Sequence, residues 1–69
     1  MGAGIANRVR ELRDAHGHMT QQALAELVSV SRQTINAIET GKYQPSLEVA
    51  LKIAREFDQP VESIFKLVD

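Results

Sequence analysis

Residues 20–44, TQQALAELVSVSRQTINAIETGKYQ, spell two helices that are each too short to stand alone. An isolated helix of fewer than about 12–15 residues is marginal in water, so this stretch obliges the rest of the chain to supply a core for it. Thr20 is a good N-cap, because its hydroxyl can accept from a first-turn N–H. Leu24, Leu27 and Val28 then recur at the spacing of one buried stripe. Ser31 caps a second helix, with Ile35 and Ile38 behind it, and Gly41 stands where a left-handed residue would end it.

The second helix carries the functional signal. At about 100° per residue, Thr34, Ile35 and Ile38 share one side, the natural core face. Arg32, Gln33, Asn36, Ala37 and Thr40 take the other. A guanidinium, two amides and a small methyl are the groups that read base edges in the major groove. Arg pairs bidentately with guanine, Gln or Asn with adenine, and a methyl packs against thymine. An arbitrary polar helix face would simply meet water. Two capped short helices joined by a tight turn are the geometry that offers such a face to DNA.

The residues Thr20-Gln21, Leu24-Ala25-Glu26, Val30-Ser31-Arg32-Gln33-Thr34-Ile35, Ile38-Glu39, Gly41-Lys42 and Pro45-Ser46-Leu47 closely follow one known pattern. From about Val9 to Phe65 the chain resembles the phage repressor/Cro-like (XRE-type) helix-turn-helix family. The resemblance implies an all-α, compact five-helix, lambda-repressor-like DNA-binding domain, with the helix-turn-helix formed by helices 2 and 3. Two departures stand out. The family usually has glycine in the helix–helix turn where this chain has Ser29, and a non-glycine residue at positive φ costs roughly 1 kcal/mol. The loop before Thr20 is one residue longer, at His18-Met19.

The resemblance also implies that Arg13 pairs with Glu39, late in the recognition helix (about 31–40). On the wheel Glu39 sits beside Ile35 at the edge of the core face, where a half-buried carboxylate wants a cation. Base contacts are expected from Arg32, Gln33, Asn36 and Ala37. Phosphate contacts are expected from Gln21, Ser31, Thr34 and the loop Thr40-Gly41-Lys42-Tyr43, whose backbone N–H groups and cation suit a phosphate. For Tyr43 a second reading, an aromatic capping the core, stays open.

Sixty-nine residues make one domain at most, and a chain of this size buries only about 60% of its unfolded surface. A partner subunit would help. With no cysteine, neither disulfides nor thiolate zinc can supply the missing stability. His16-Gly17-His18 is too little for a structural zinc site and is read as a helix end and loop. No apolar run approaches the roughly 20 residues of a membrane span, and MGAGIANRVR lacks a secretory core, so a soluble cytoplasmic protein is expected. The net charge of −1 is low for a nucleic-acid binder. It is unevenly spread: residues 1–46 carry five basic and four acidic groups, residues 47–69 three and five. Binding should lean on helix N-termini and a few placed cations.

Outside the motif, residues 1–4 carry no periodic signal and are expected to fray, leaving 5–69 as the domain. Ile5, Val9 and Leu12 predict a first helix ending near His16-Gly17. Ser46 should cap a fourth helix with Leu47, Ala50, Leu51, Ile53, Ala54 and Phe57 in the core. Pro60 suits the first position of a fifth helix, capped by Asp58 or Gln59. Val61, Ile64, Phe65, Leu67 and Val68 are five apolar residues in the last nine. Val61, Ile64 and Val68 can dock as one stripe, and a dimer interface is expected from Ile64, Phe65, Leu67 and Val68. The end could instead leave the helix and pair as a strand with its symmetry mate, or all five could finish the monomer's own core.

The reading that follows is a sequence-specific regulator, most simply a repressor, acting as a homodimer on a pseudo-palindromic duplex. No cofactor, metal or small-molecule ligand is called for, and no ligand-sensing domain is expected within these residues. An antitoxin-like interaction module is the alternative. No Ser/His or Cys/His pairing or phosphate-cradling glycine loop points to an enzyme.

Overall fold

Thr20, Ser31 and Ser46 begin helices in the same way, each in extended backbone with its hydroxyl accepting the N–H three residues on. The acceptor distances are 3.0 Å from Ala23, 3.1 Å from Thr34 and 3.2 Å from Val49. These caps set α2 (Gln21–Val28), α3 (Arg32–Glu39) and α4 (Leu47–Phe57). Before them lie β1 (Gly4–Asn7) and α1 (Val9–Ala15), and after them α5 (Val61–Ile64) and β2 (Phe65–Val68). The structure, a computed structural model, describes residues 4–68.

The helices make the expected five-helix domain, but the fold is not all-α. β1 pairs antiparallel with β2, Ile5 opposite Leu67 and Asn7 opposite Phe65. Ile5 therefore lies in a strand rather than in the first helix. Asn7 explains the break: its side-chain oxygen accepts from the Val9 N–H at 3.2 Å, which starts α1 there. The expected fraying segment is corrected at Gly4, which opposes Val68 in the sheet; residues 1–3 of that segment, and Asp69, lie outside the described residues. At the other end the chain does become a strand. Its partner is β1 of the same chain.

The turns use left-handed backbone where the sequence pointed. Ser29 has φ 62°, at the turn between α2 and α3, and Gly41 has φ 77° after α3. His18, in the longer loop, has φ 56°. Asp58 ends α4 at φ 54°, and Pro60 itself is the N-cap residue of α5. The expected Asp58 or Gln59 cap is therefore absent: α5 is a single turn with no side-chain cap hydrogen bond.

Val9, Leu12, Leu24, Ala25, Val28, Ile35, Ile38, Ile53, Ala54, Phe57 and Ile64 form the core. Three leucines expected inside are outside: Leu27 is 49% exposed, Leu47 73% and Leu51 51%. On α2 the buried arc runs from Leu24 through Val28 to Ala25, and Leu27 falls about 60° beyond its edge. On α4 the arc centres between Ala50 and Phe57, and Leu47 and Leu51 sit one turn apart on its flank. Ile64, expected at a dimer interface, is fully buried in its own chain, and Val68 leaves the helical stripe for the strand.

An ion pair, Arg13 with Glu39, reaches into this interior. Arg13, 8% exposed, donates from Nε to Glu39 Oε2 at 2.6 Å, from Nη2 to Glu39 Oε1 at 3.0 Å and from Nη1 to the Met19 carbonyl at 2.7 Å. The hydrogen bond to Glu39, and its charge, hold the guanidinium pKa above its usual value against the opposing effect of burial. Removing one partner of a buried pair strands the other, at a cost of about 3–5 kcal/mol, whereas an exposed pair is worth about 0–1 kcal/mol. In urea unfolding, Arg13→Ala and Glu39→Ala should each lose stability on the larger scale, and the double variant much less than the sum. Small additive losses would show the pair to be inessential. Conversely, Ser29→Gly relieves a left-handed side chain and should raise stability by about 0.5–1 kcal/mol, after the glycine's own entropic cost.

Candidate nucleic-acid interface

α3 is buried along one side only. Ile35 and Ile38 are closed off, and Arg32, Gln33 and Asn36 are exposed, with Ala37 and Thr34 half-buried between them. The row of side chains expected to meet bases is thus brought together on one outward face. Beside it lies a depression of about 310 Å³ lined by Ser31, Gln33, Thr34, Ala37 and Tyr43. Tyr43 is 51% exposed, so of its two readings the core-capping one fails. It forms a wall next to the recognition helix.

Electrostatics favour this face more than the net charge suggests. The only acidic residue of α3 is Glu39, whose side chain is 5% exposed and bound by Arg13. An approaching phosphate therefore meets Arg32 and Lys42, both exposed, without an opposing bare carboxylate on the same helix.

The loop after α3 departs from expectation. Its backbone N–H groups are already used: Thr40 donates to Asn36 O at 3.0 Å, Gly41 to Ile38 O at 3.1 Å, and Lys42 and Tyr43 both to Ala37 O at 2.9 and 3.2 Å. The Thr40 hydroxyl also donates inward, to Asn36 O at 3.0 Å. Gly41 and Thr40 thus shape the loop rather than offer donors, which leaves the Lys42 ammonium and the Tyr43 hydroxyl for an anion. At the other end of α3, the Ser31 and Thr34 hydroxyls share one hydrogen bond of 2.9 Å. Two hydroxyls sharing one bond retain a proton that can turn outward.

Gln21 differs most. Its amide nitrogen donates to Asn36 Oδ1 at 3.1 Å and to Glu39 Oε1 at 3.1 Å, so both protons are spent within the protein. The residue expected on a phosphate instead ties α2 to α3. Asn7 has a role that no spacing in the sequence signals: its amide donates to the Ile38 carbonyl at 2.9 Å, anchoring the last turn of α3 to β1. The only sequence signal for it was a helix-breaking amide ahead of Val9. His16 caps α1 and turns its ring onto Phe57, centroids 4.9 Å apart. Among the described residues no group of three or more His, Asp or Glu is gathered as a metal site would need.

A family model described as helix-turn-helix matches residues 9–64. Over 61 residues the chain is 52% identical to an uncharacterised helix-turn-helix transcriptional regulator of Archaeoglobus fulgidus, covering 88% of this chain and 86% of that one. It is 49% identical over 63 residues to the uncharacterised regulator YgzD of Bacillus subtilis, covering 91% and 94%. Among solved structures, a proposed DNA-binding protein from Bacteroides fragilis superposes with a TM-score of 0.76 at 27% identity, covering 90% of this chain and 98% of that one. The chain therefore belongs to the helix-turn-helix family of transcriptional regulators, of the repressor/Cro-like type.

Proposed function

We propose that this protein is a cytoplasmic, sequence-specific repressor that binds a pseudo-palindromic duplex as a homodimer, with α3 in the major groove. The observation that carries the reading is the outward row Arg32, Gln33, Asn36 and Ala37 on a helix whose own carboxylate is neutralised behind it. Lys42, Tyr43 and the Ser31–Thr34 hydroxyls flank that row and suit the phosphates on either side. Repression would be steric, through occupancy of the operator. Neither cofactor nor catalysis is part of the proposal, and no described helix is long and apolar enough to cross a membrane.

The dimer would form through β2. Leu67 is 79% exposed, Val68 45%, and Phe65 is half-buried against the core. β2 pairs with β1 along one edge, and the other edge of such a strand is a template for an identical strand. A two-fold interface there repeats the same residues from both copies and would set two α3 helices about 34 Å apart on one face of DNA. A second reading, an antitoxin-like module, draws on the exposed pair Leu47 and Leu51; it requires an unstable monomer when the chain is purified alone.

Selection from random duplexes tests the reading face. Losing one bidentate contact costs roughly 1–3 kcal/mol of discrimination, so Gln33→Ala should flatten preference at one or two positions. Lys42→Ala should weaken all sequences alike and make the salt slope shallower by about one. An unchanged selected site in Gln33→Ala would refute the face assignment. Sedimentation tests the dimer: Leu67→Ser, at an exposed position, should give a folded monomer without cooperative operator binding. A wild-type chain that stays monomeric at tens of micromolar, with and without DNA, rules it out.

A further inference from the structure

The polar side chains between α2 and α3 form a relay whose direction is fixed at its buried end. Arg13 can only donate and an ionised Glu39 can only accept. Glu39 Oε1 takes hydrogen bonds from Arg13 Nη2 at 3.0 Å and from Gln21 Nε2 at 3.1 Å. The Gln21 amide must therefore face inward with its NH2 group, since the flipped amide would set its carbonyl against the carboxylate. The second proton of that NH2 reaches Asn36 Oδ1 at 3.1 Å. Asn36 in turn has its oxygen drawn back toward α2 and its own NH2 left on the exposed face of α3.

We infer that Gln21 is a specificity-determining positioning residue, which holds Asn36 as a donor so that it reads a G·C pair through guanine rather than an adenine. The inference rests on the DNA-binding reading above. The bidentate adenine contact needs an amide oxygen and an amide nitrogen side by side toward the base, because adenine offers an acceptor at N7 and a donor at N6. Guanine offers two adjacent acceptors, N7 and O6. An amide that shows only donors fits guanine and meets the adenine N6 group donor to donor. Gln21 itself, with both protons committed, contributes little to phosphate affinity. Its effect is confined to one base pair.

The test is selection from random duplexes with the full chain and with Asn36→Ala, Gln21→Met and Gln21→Lys, alongside thermal melts. Asn36→Ala locates the pair that Asn36 reads, and the wild type should prefer G·C there. Gln21→Met keeps the length of the side chain but frees Asn36 to turn. The G·C preference at that pair should then fall by roughly three- to tenfold, the worth of one hydrogen bond, with every other position unchanged. Gln21→Lys, a donor-only side chain, should restore it. An A·T preference at the Asn36 pair overturns the inference whether or not the variants fold. So does a Gln21→Met profile that is unaltered, or one weakened equally at all positions as a lost phosphate contact would be. Failure of Asn36→Ala to change any position likewise overturns it. A wild type that selects no sequence at all refutes the DNA-binding reading itself, an outcome distinct from the others.

Discussion

The guanidinium of Arg13 joins three separate parts of the chain: α1, which carries it, the Met19 carbonyl ahead of α2, and Glu39 on α3. A domain this small has few other means of fixing its recognition helix. The core contributes two residues of α3, Ile35 and Ile38. Two apolar contacts on one stripe resist translation of a helix better than they resist rotation about its axis. A planar guanidinium held to a carboxylate by two parallel bonds has a defined orientation as well as a distance, so it supplies the rotational constraint. Buried ion pairs are often no more stabilising than apolar replacements. Here the return is geometrical, because the outward angle of Arg32, Gln33 and Asn36 follows from the roll of α3.

The same pair governs electrostatics. A helix meant to approach phosphates carries a carboxylate in its last turn, which would be a defect on the surface. Pairing Glu39 with Arg13 inside the fold removes that repulsion, and its remaining acceptor capacity sets the orientation of Gln21. Charge neutralisation and hydrogen-bond direction are thus supplied by one group. This is how a chain with a net charge of −1 can still present a face suited to DNA.

Features encoded within a few residues were legible in the sequence. Thr20, Ser31 and Ser46 cap because a hydroxyl reaches the third N–H onward, and Ser29 and Gly41 take left-handed backbone because the turns close there. Burial was less legible. A wheel gives the width of an apolar arc but not where its neighbour will lie, and α2 and α4 set their contacts to one side of Leu27, Leu47 and Leu51. The sheet was not legible as pairing within one chain, because Ile5 and Leu67 are brought together only once everything between them has folded. The spacing of Ile5, Val9 and Leu12 fitted a helix equally well. The Arg13–Glu39 pair is implied by the family resemblance, while the Gln21 relay depends on which atoms of two amides face each other, something no spacing encodes.

That late-forming sheet is not peripheral to the site. A two-stranded sheet is marginal by itself, yet this one is stitched to the helices on both sides: the Arg8 N–H bonds the Ile64 carbonyl at 3.0 Å, and Asn7 bonds the Ile38 carbonyl at 2.9 Å. Ile38 O is one of the last carbonyls of α3, a position without a helical N–H of its own to bind; it is met by Gly41 and by Asn7 together. The recognition helix is therefore held at its C-terminal end by α1 through Glu39 and by the sheet through Ile38. β2, the strand proposed as the dimer seam, pairs its Phe65 directly with Asn7. Phe65 and Asn7 are thus the two residues that lie between β2 and the backbone of α3, so the sheet and the C-terminal end of that helix are positioned by the same contacts.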